Sequence, residues 1–364
     1  MTIPRLATRL LLRSQDVPAY RDDFEVVGVF NPGAVRVGNE FVLLVRVAER
    51  PRERRPGFTG LPRWDQAGGL TIDWEPDAEL EPVDPRLVRR KADGLVRLTF
   101  TSHLRVVRCG GGRAVQEVTG VTFRPHEEVE EFGVEDARIT PLDGQFYFTY
   151  VAVSRHGPVT ALASTTDFRR FERHGVAFCP ENKDVVLFPQ RIGGTYAALH
   201  RPVCGTPFTR PEMWVARSPD LTHWGTHTPL DVPGGEWQSG RVGAGPPPVR
   251  VPGGWLAIYH GNRHPTRAGE VGTYYGGALL LDPDDPARVL RRTAEPFFRP
   301  EADFEVAGFV PNIVFPTGVV QDRDSLLVYY GAADAVTAVA EYSTGELLDA
   351  MTDADCRLTA GSWR

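Results

Sequence analysis

Five times along this chain, a tight-turn sequence runs straight into a short and almost unbroken apolar stretch. "VGNEFVLLVRV", "LDGQFYFTYVAV", "IGGTYAALHRP", "PGGWLAIYHGN" and "DRDSLLVYYGAAD" each read as a turn followed by a β-strand that ends in polar residues. A second element follows several of them. "ALASTTDFRRFERHG" and "MWVARSPDLTHWGTH" align Asp167 with Asp220 and Phe171 with Trp224, 53 residues apart in each case. Amphipathic helices are scarce, and "TGELLDAMTDAD" near the end is the best candidate. Small antiparallel sheets repeated in this way cannot bury both faces alone, so neighbours must stack around a common axis. The expectation is an all-β chain folded as a five-bladed β-propeller. Residues 1–364 then form a single domain, with an insertion around 50–95 and a short C-terminal helical segment. Phe171 and Trp224 are expected to pack between blades.

Charge and cysteine usage narrow the function classes. A formal charge of −6 leaves no strongly basic face for nucleic acid. The cluster "ERPRERRP" is interrupted by Glu and Pro and reads as a solvated loop. Cys109, Cys179, Cys204 and Cys356 are scattered without C-x-x-C spacing, so neither a zinc site nor a disulfide framework is expected. The opening "MTIPRLATRLLLRSQ" has apolar runs too short for a secretory signal, and no stretch approaches a membrane span. A cytoplasmic location is the expectation, and a homo-oligomer is compatible with the sequence.

In a propeller, polar residues just before the innermost strand of each blade converge on the axial pocket. Those residues are Asn31 in "FNPG", Glu135 and Asp136 in "GVEDARIT", Lys183 and Asp184 in "ENKDVVLFP", Arg241 in "SGRVGAGPPP", and Asn312 in "PNIVFPTG". Strand ends add Arg46, His200, Arg201, His260 and Asp334. Each has a plain structural reading: Asp136 as a turn residue, Arg138 as partner of a nearby carboxylate, His200 and His260 as buried histidines. Their recurrence at equivalent positions favours a site. Carboxylates among cations suit protonation of a leaving oxygen beside a bound anion. Glycoside hydrolysis usually needs two carboxylates. If phosphate is the nucleophile the second is unnecessary, and the cations hold the phosphate.

The ordered set "GVEDARIT", "KDVVLFP", "LHRP", "RVGAGPPP", "YHG", "FPTG" and "YYGAADAVTAVA" resembles glycoside hydrolase family 130, the β-mannoside phosphorylases and related β-1,2-mannosidases. The resemblance runs from Asn31 to about Ala340 and implies the same five-bladed propeller. It implies Asp136 as the general acid, aided by proton relay through a mannose hydroxyl. It also implies Asn31, Arg46 and Asp334 as sugar contacts, with Asp184 beside them, and Arg201, Arg241, His260 and Lys183 as phosphate-binding cations. At one position the chain departs from the family pattern, carrying Arg241 before "VGAG" where the phosphorylases more often carry lysine. The implied reaction is inverting phosphorolysis of a β-mannoside, with a β-1,2-linked manno-oligosaccharide and phosphate as partners and α-mannose 1-phosphate as product. No metal or organic cofactor is implied. The alternative is an inverting β-1,2-mannosidase, for which Glu236, and also Glu270, are the spare acids. In the phosphorylase reading Glu135 is expected to bond backbone or Arg138; in the bland reading Arg241 pairs with Glu236.

Overall fold

The computed structural model describes residues 3–65, 69–203, 210–232, 235–265 and 271–354. All five turn sequences close two-residue hairpins, with Val37 paired to Glu40, Leu142 to Gln145, Ile192 to Thr195, Val251 to Gly254 and Asp322 to Ser325. Asp143 and Gly144, and likewise Gly193 and Gly194, all have positive φ, as the hairpin turns that match strand twist require. The hairpins grow into five antiparallel sheets. The first comprises Phe24–Val37, Glu40–Pro51, Thr101–Gly110 and Ala114–Phe123. Gly133–Leu142, Gln145–Ser154, Gly157–Thr165 and Glu172–Phe178 make the second. The third holds Asn182–Leu187, Tyr196–Pro202, Trp214–Ser218 and Gly225–Pro229. The fourth is built on Arg241–Ala244, Gly254–Asn262, Tyr274–Leu281 and Val289–Arg292. In the fifth, Val314–Asp322, Ser325–Ala332 and Val336–Ser343 are completed by Ala7–Leu12 from the other end of the sequence.

The continuous apolar runs have a direct cause. Each sheet packs on the next, so its central strands have no solvent face and need no polar alternation. Val35, Leu44 and Leu104 of the first sheet meet Ile139 and Phe148 of the second, and Leu162 of the second meets Val185 and Ala198 of the third. Val186 and Leu199 pack on Val242 and Trp255, and Ile258 and Leu280 on Val314 and Tyr330. The cycle returns when Leu327 and Tyr329 of the fifth sheet pack on Leu43 and Val45 of the first. Phe171 sits in the first of these interfaces, edge-on to Phe123 and Phe148, and Trp224 packs against Phe178. The aligned aspartates also do one job: Asp167 accepts from the backbone N–H groups of Arg169 and Arg170, and Asp220 from those of Thr222 and His223.

The insertion forms a hairpin, Phe58–Trp64 with Leu70–Pro76, and a three-stranded sheet of Leu80–Asp84, Leu87–Arg90 and Val96–Leu98. A short helix, Thr344–Asp349, stands where the C-terminal helix was expected, capped by the Ser343 hydroxyl. Cys109 and Cys179 are free thiols, while Cys204, Cys356 and Glu270 lie outside the described residues. No helix among the described residues is long and apolar enough to cross a membrane.

Candidate active site

Three first strands carry the same irregularity. In the first sheet Phe30 pairs with Arg46 and Gly33 with Leu44, so Asn31 and Pro32 oppose one residue. Glu135 pairs with Val151 and Arg138 with Thr149, leaving Asp136 and Ala137 in the same position. Lys183 pairs with Arg201 and Val186 with Leu199, leaving Asp184 and Val185. Each is a β-bulge, which kinks a strand and re-aims a side chain. The bulged residues Asn31, Asp136 and Asp184 have φ of 49°, 53° and 56°. Asn and Asp are the side-chain-bearing residues that best tolerate this left-handed conformation. The backbone irregularity and the chemistry therefore select the same residue types. These three residues lie inside their strands at bulges, not before them as expected from sequence, whereas Arg241 begins its strand and Asn312 precedes Val314–Asp322.

The bulges open on one cleft of about 830 Å³, mouth included. It is lined by Asn31, Arg46, Asp136, Lys183, Asp184, Arg201, Arg241, His260 and Asp334, all of them expected, together with Glu135. Asn312 and His200 do not line it. Asn312 is exposed, and His200 is buried against the Phe178 ring with Asn182 and His227 on its two nitrogens. Sequence reasoning missed Arg86 and Tyr274 in the lining. "VDPRL" around Arg86 looks like an ordinary turn, and nothing local marks it as part of a site.

The cleft has two chemically distinct sides. On one, Asp136 Oδ1 accepts from Asn31 Nδ2 at 2.9 Å and from Arg46 NH1 at 3.0 Å. Arg46 NH2 donates to Glu135 Oε1 at 2.6 Å, and its Nε to Ser102 Oγ at 3.1 Å. The Arg46 guanidinium is further held over the Phe30 ring. Oδ2 of Asp136 has no hydrogen-bond partner among the described residues and is available to a ligand. Glu135 is thus tied to Arg46, not to Arg138 as expected. Arg138 is engaged elsewhere, by Asp184 and by the backbone carbonyls of Ala244 and Gly245.

On the other side, Asp184 is enclosed by Arg201, Arg138 and His260. Arg201 Nε donates to its Oδ2 at 2.7 Å, His260 Nε2 lies 3.4 Å from the same oxygen, and Arg138 NH2 reaches Oδ1 at 3.4 Å. Arg138 also donates to the carbonyls of Ala244 and Gly245, so one buried guanidinium joins the second, third and fourth sheets. Burial alone would raise the Asp184 carboxyl, but Arg201, His260 and Arg138 outweigh it and hold the group far below the usual carboxylate range. Burial pushes the His260 imidazole down to about 3; Asp184 works against this, and the nearby arginines add to it. Lys183 and Arg241 are half-buried in the lining and have no carboxylate partner among the described residues. Glu236 is exposed on a short 3-10 turn, Glu236–Gln238, and pairs with Arg263 instead of Arg241.

Gly243 lets this cluster form. A Cβ there would lie 2.3 Å from Asp184 Oδ2 and 2.8 Å from His260 Nε2. Gly243→Ala should therefore push Asp184 off Arg201 and cost about 1–3 kcal/mol of stability. Chemical denaturation checks the stability loss, and a weakened response to added phosphate checks the site.

Among the described residues, no group of three or more His, Cys, Asp or Glu side chains is arranged to hold a metal. What the cleft can do is bind a neutral polyhydroxylated ligand beside a carboxyl and an anion beside uncompensated cations.

Comparison with known proteins points the same way. A family model described as β-1,4-mannooligosaccharide phosphorylase matches residues 84–353, a span that includes Asp136 and the cation cluster. A β-1,2-mannobiose phosphorylase of Listeria innocua is 38% identical over 357 residues, covering 96% of this chain and 98% of that protein. A structure of the Listeria innocua β-1,2-mannobiose phosphorylase in complex with β-1,2-mannobiose superposes with a TM-score of 0.86, covering 93% of this chain and 96% of the other. A 1,2-β-oligomannan phosphorylase of Thermoanaerobacter is 39% identical over 217 residues, 58% of this chain and 69% of that protein. Matched by the family model over most of its length and by a relative from end to end, the chain belongs to glycoside hydrolase family 130.

Proposed function

We propose that the protein is an inverting phosphorylase that cleaves a β-mannoside, in the first place a β-1,2-linked manno-oligosaccharide, and releases α-mannose 1-phosphate. One observation carries the reading. The cleft sets a carboxyl with a ligand-facing oxygen on one side and, on the other, Lys183 and Arg241 without carboxylate partners among the described residues, backed by Arg201. Cations left uncompensated in a half-buried cleft favour an anion there, since charge-assisted bonds are the stronger kind. The names of the relatives add support for the substrate class.

In this reading Asn31, Arg46 and Asp334 hold the mannosyl unit. Asp136 supplies the proton that reaches the glycosidic oxygen, through a mannose hydroxyl, as the bond to the anomeric carbon breaks. A phosphate oxygen held by Arg201, Arg241, Lys183 and His260 forms the new bond from the opposite face, which inverts the configuration. Asp184 serves from behind by orienting the cations. Phosphate is a co-substrate, and no metal or organic cofactor takes part. The five sheets, packed in a cycle with the fifth against the first and closed by Ala7–Leu12, support reading them as the blades of a five-bladed propeller. The same cycle supports a single catalytic domain that carries the insertion. A cytoplasmic location, where inorganic phosphate would be the co-substrate at hand, belongs to the same reading. Hydrolysis is less favoured, because Glu236 is taken up by Arg263 outside the cleft lining.

Incubation with β-1,2-mannobiose, with and without phosphate, tests this. Mannose 1-phosphate should form only with phosphate; equal amounts of free mannose in both would overturn the reading. Arg241→Ala should raise the KM for phosphate by about 10–100-fold, the worth of one hydrogen bond to a charged group. Arg241→Lys should recover part of the loss, as a point donor replacing a fork.

A further inference from the structure

Arg86 lines the carboxyl side of the cleft beside Asp334. It stands at the turn between Leu80–Asp84 and Leu87–Arg90, on the inserted sheet. Asp84 clamps it at three points: Oδ1 accepts from the Arg86 backbone N–H at 2.7 Å and from its Nε at 3.4 Å, and Oδ2 from NH2 at 2.9 Å. The other terminal nitrogen, NH1, lies 3.6 Å from Asp334 Oδ2. Asp334 follows the strand Ser325–Ala332 of the fifth sheet with φ of 49°. The insertion and the fifth sheet thus meet across the carboxyl side of the cleft through one cation–carboxylate pair.

We propose that Arg86 is a positioning residue for Asp334 and a sugar contact in its own right, the two binding a single hydroxyl of the mannosyl unit between them. The proposal rests on the mannoside reading above. At 3.6 Å the pair attracts by charge but is too far apart for a good N–H···O bond. A hydroxyl has one proton to donate and lone pairs to accept with, so beside this pair it donates to Oδ2 and accepts from NH1 at once. Neither residue alone offers both halves. The groups facing Asp334 are Arg86 from the insertion, Arg46 from the first sheet, and Asp136 and Glu135 from the second; Tyr274 of the fourth sheet faces Arg86. Burial raises the Asp334 carboxyl, Arg86 and Arg46 oppose this, and Asp136 and Glu135 add to the rise. A carboxyl raised in this way accepts from sugar above its pKa and loses that ability as pH falls through it. Removing Arg86 takes away the first of the opposing charges, so the loss should set in at higher pH.

The test is calorimetric titration of β-1,2-mannobiose, without phosphate, into the wild type, Arg86→Ala and Arg86→Lys between acidic and neutral pH. Arg86→Ala should bind about 10–100-fold more weakly, as for a lost hydrogen bond to a charged group. Its acid limb should move to higher pH, and Arg86→Lys should bring the limb back while recovering only part of the affinity. The KM for phosphate should stay unchanged in both. If Arg86→Ala binds as the wild type does with the same acid limb, the proposal is overturned while the mannoside reading stands. A weaker Arg86→Ala whose limb has not moved, or an Arg86→Lys that leaves the limb displaced, also overturns the positioning role. If the wild type itself does not bind the disaccharide, the mannoside reading fails and takes this proposal with it.

Discussion

Asp136→Asn should lower turnover by about 10²–10⁴-fold, the usual contribution of a positioned general acid, while leaving the fold intact. Asn is the natural control at this position. It tolerates the left-handed backbone at φ of 53° as Asp does, and its carbonyl oxygen can still accept from Asn31 and Arg46, as Asp136 Oδ1 does. What the amide lacks is an acidic proton to pass on. Steady-state rates on β-1,2-mannobiose with phosphate, alongside a thermal melt, check both halves of the expectation. A leaving group that departs without protonation separates acid catalysis from mere positioning. On a mannoside of an acidic phenol the mutant should lose much less of its rate. A loss below about tenfold on the disaccharide, in a well-folded mutant, would remove Asp136 from the acid role.

Asp184→Asn should cost roughly 3–5 kcal/mol of stability, the usual penalty for removing one partner of a buried ion cluster. The mutation leaves Arg138 and Arg201 buried with no carboxylate between them, since Asp184 is their shared acceptor. The pH dependence follows from the direction of its shift. A carboxyl depressed in the folded state contributes stability fully above its unfolded value, near 3.8, and loses it as pH falls toward the depressed one. The gap between wild type and mutant in denaturant melts should therefore be constant around neutrality and shrink on strong acidification. Phosphate adds a second signature. Because it binds the folded state and supplies the missing negative charge, it should restore more stability to Asp184→Asn than it adds to the wild type. Equal stabilisation of both would mean that the anion binds away from Arg201.

Much of the site could be read from the residues. Asn31, Arg46, Asp136, Lys183, Arg201, Arg241, His260 and Asp334 stand out because polar groups recur at equivalent points of a repeat whose other residues are apolar, and all eight line one cleft. Partnership was a different matter. Glu135 was expected on backbone or Arg138 and lies on Arg46. Asp184, expected among the sugar contacts, has its oxygens engaged by Arg201, His260 and Arg138. Who pairs with whom depends on which face a side chain leaves by, and a single bulge reverses that for every residue after it.

The sequence by itself determined the strands, their tight turns and the scarcity of helix among the described residues, because those rest on local preferences: apolar runs buried on both faces, and turn residues where φ must be positive. It also determined which residue types were available to the cleft. Only the tertiary structure decided that Ala7–Leu12 completes the fifth sheet, that Arg138 joins three sheets at once, and that Arg86 of the insertion comes to Asp334. Those contacts link residues far apart in the chain, and no local preference encodes them. They form because each sheet has two apolar faces, and a cycle of neighbours is what buries both.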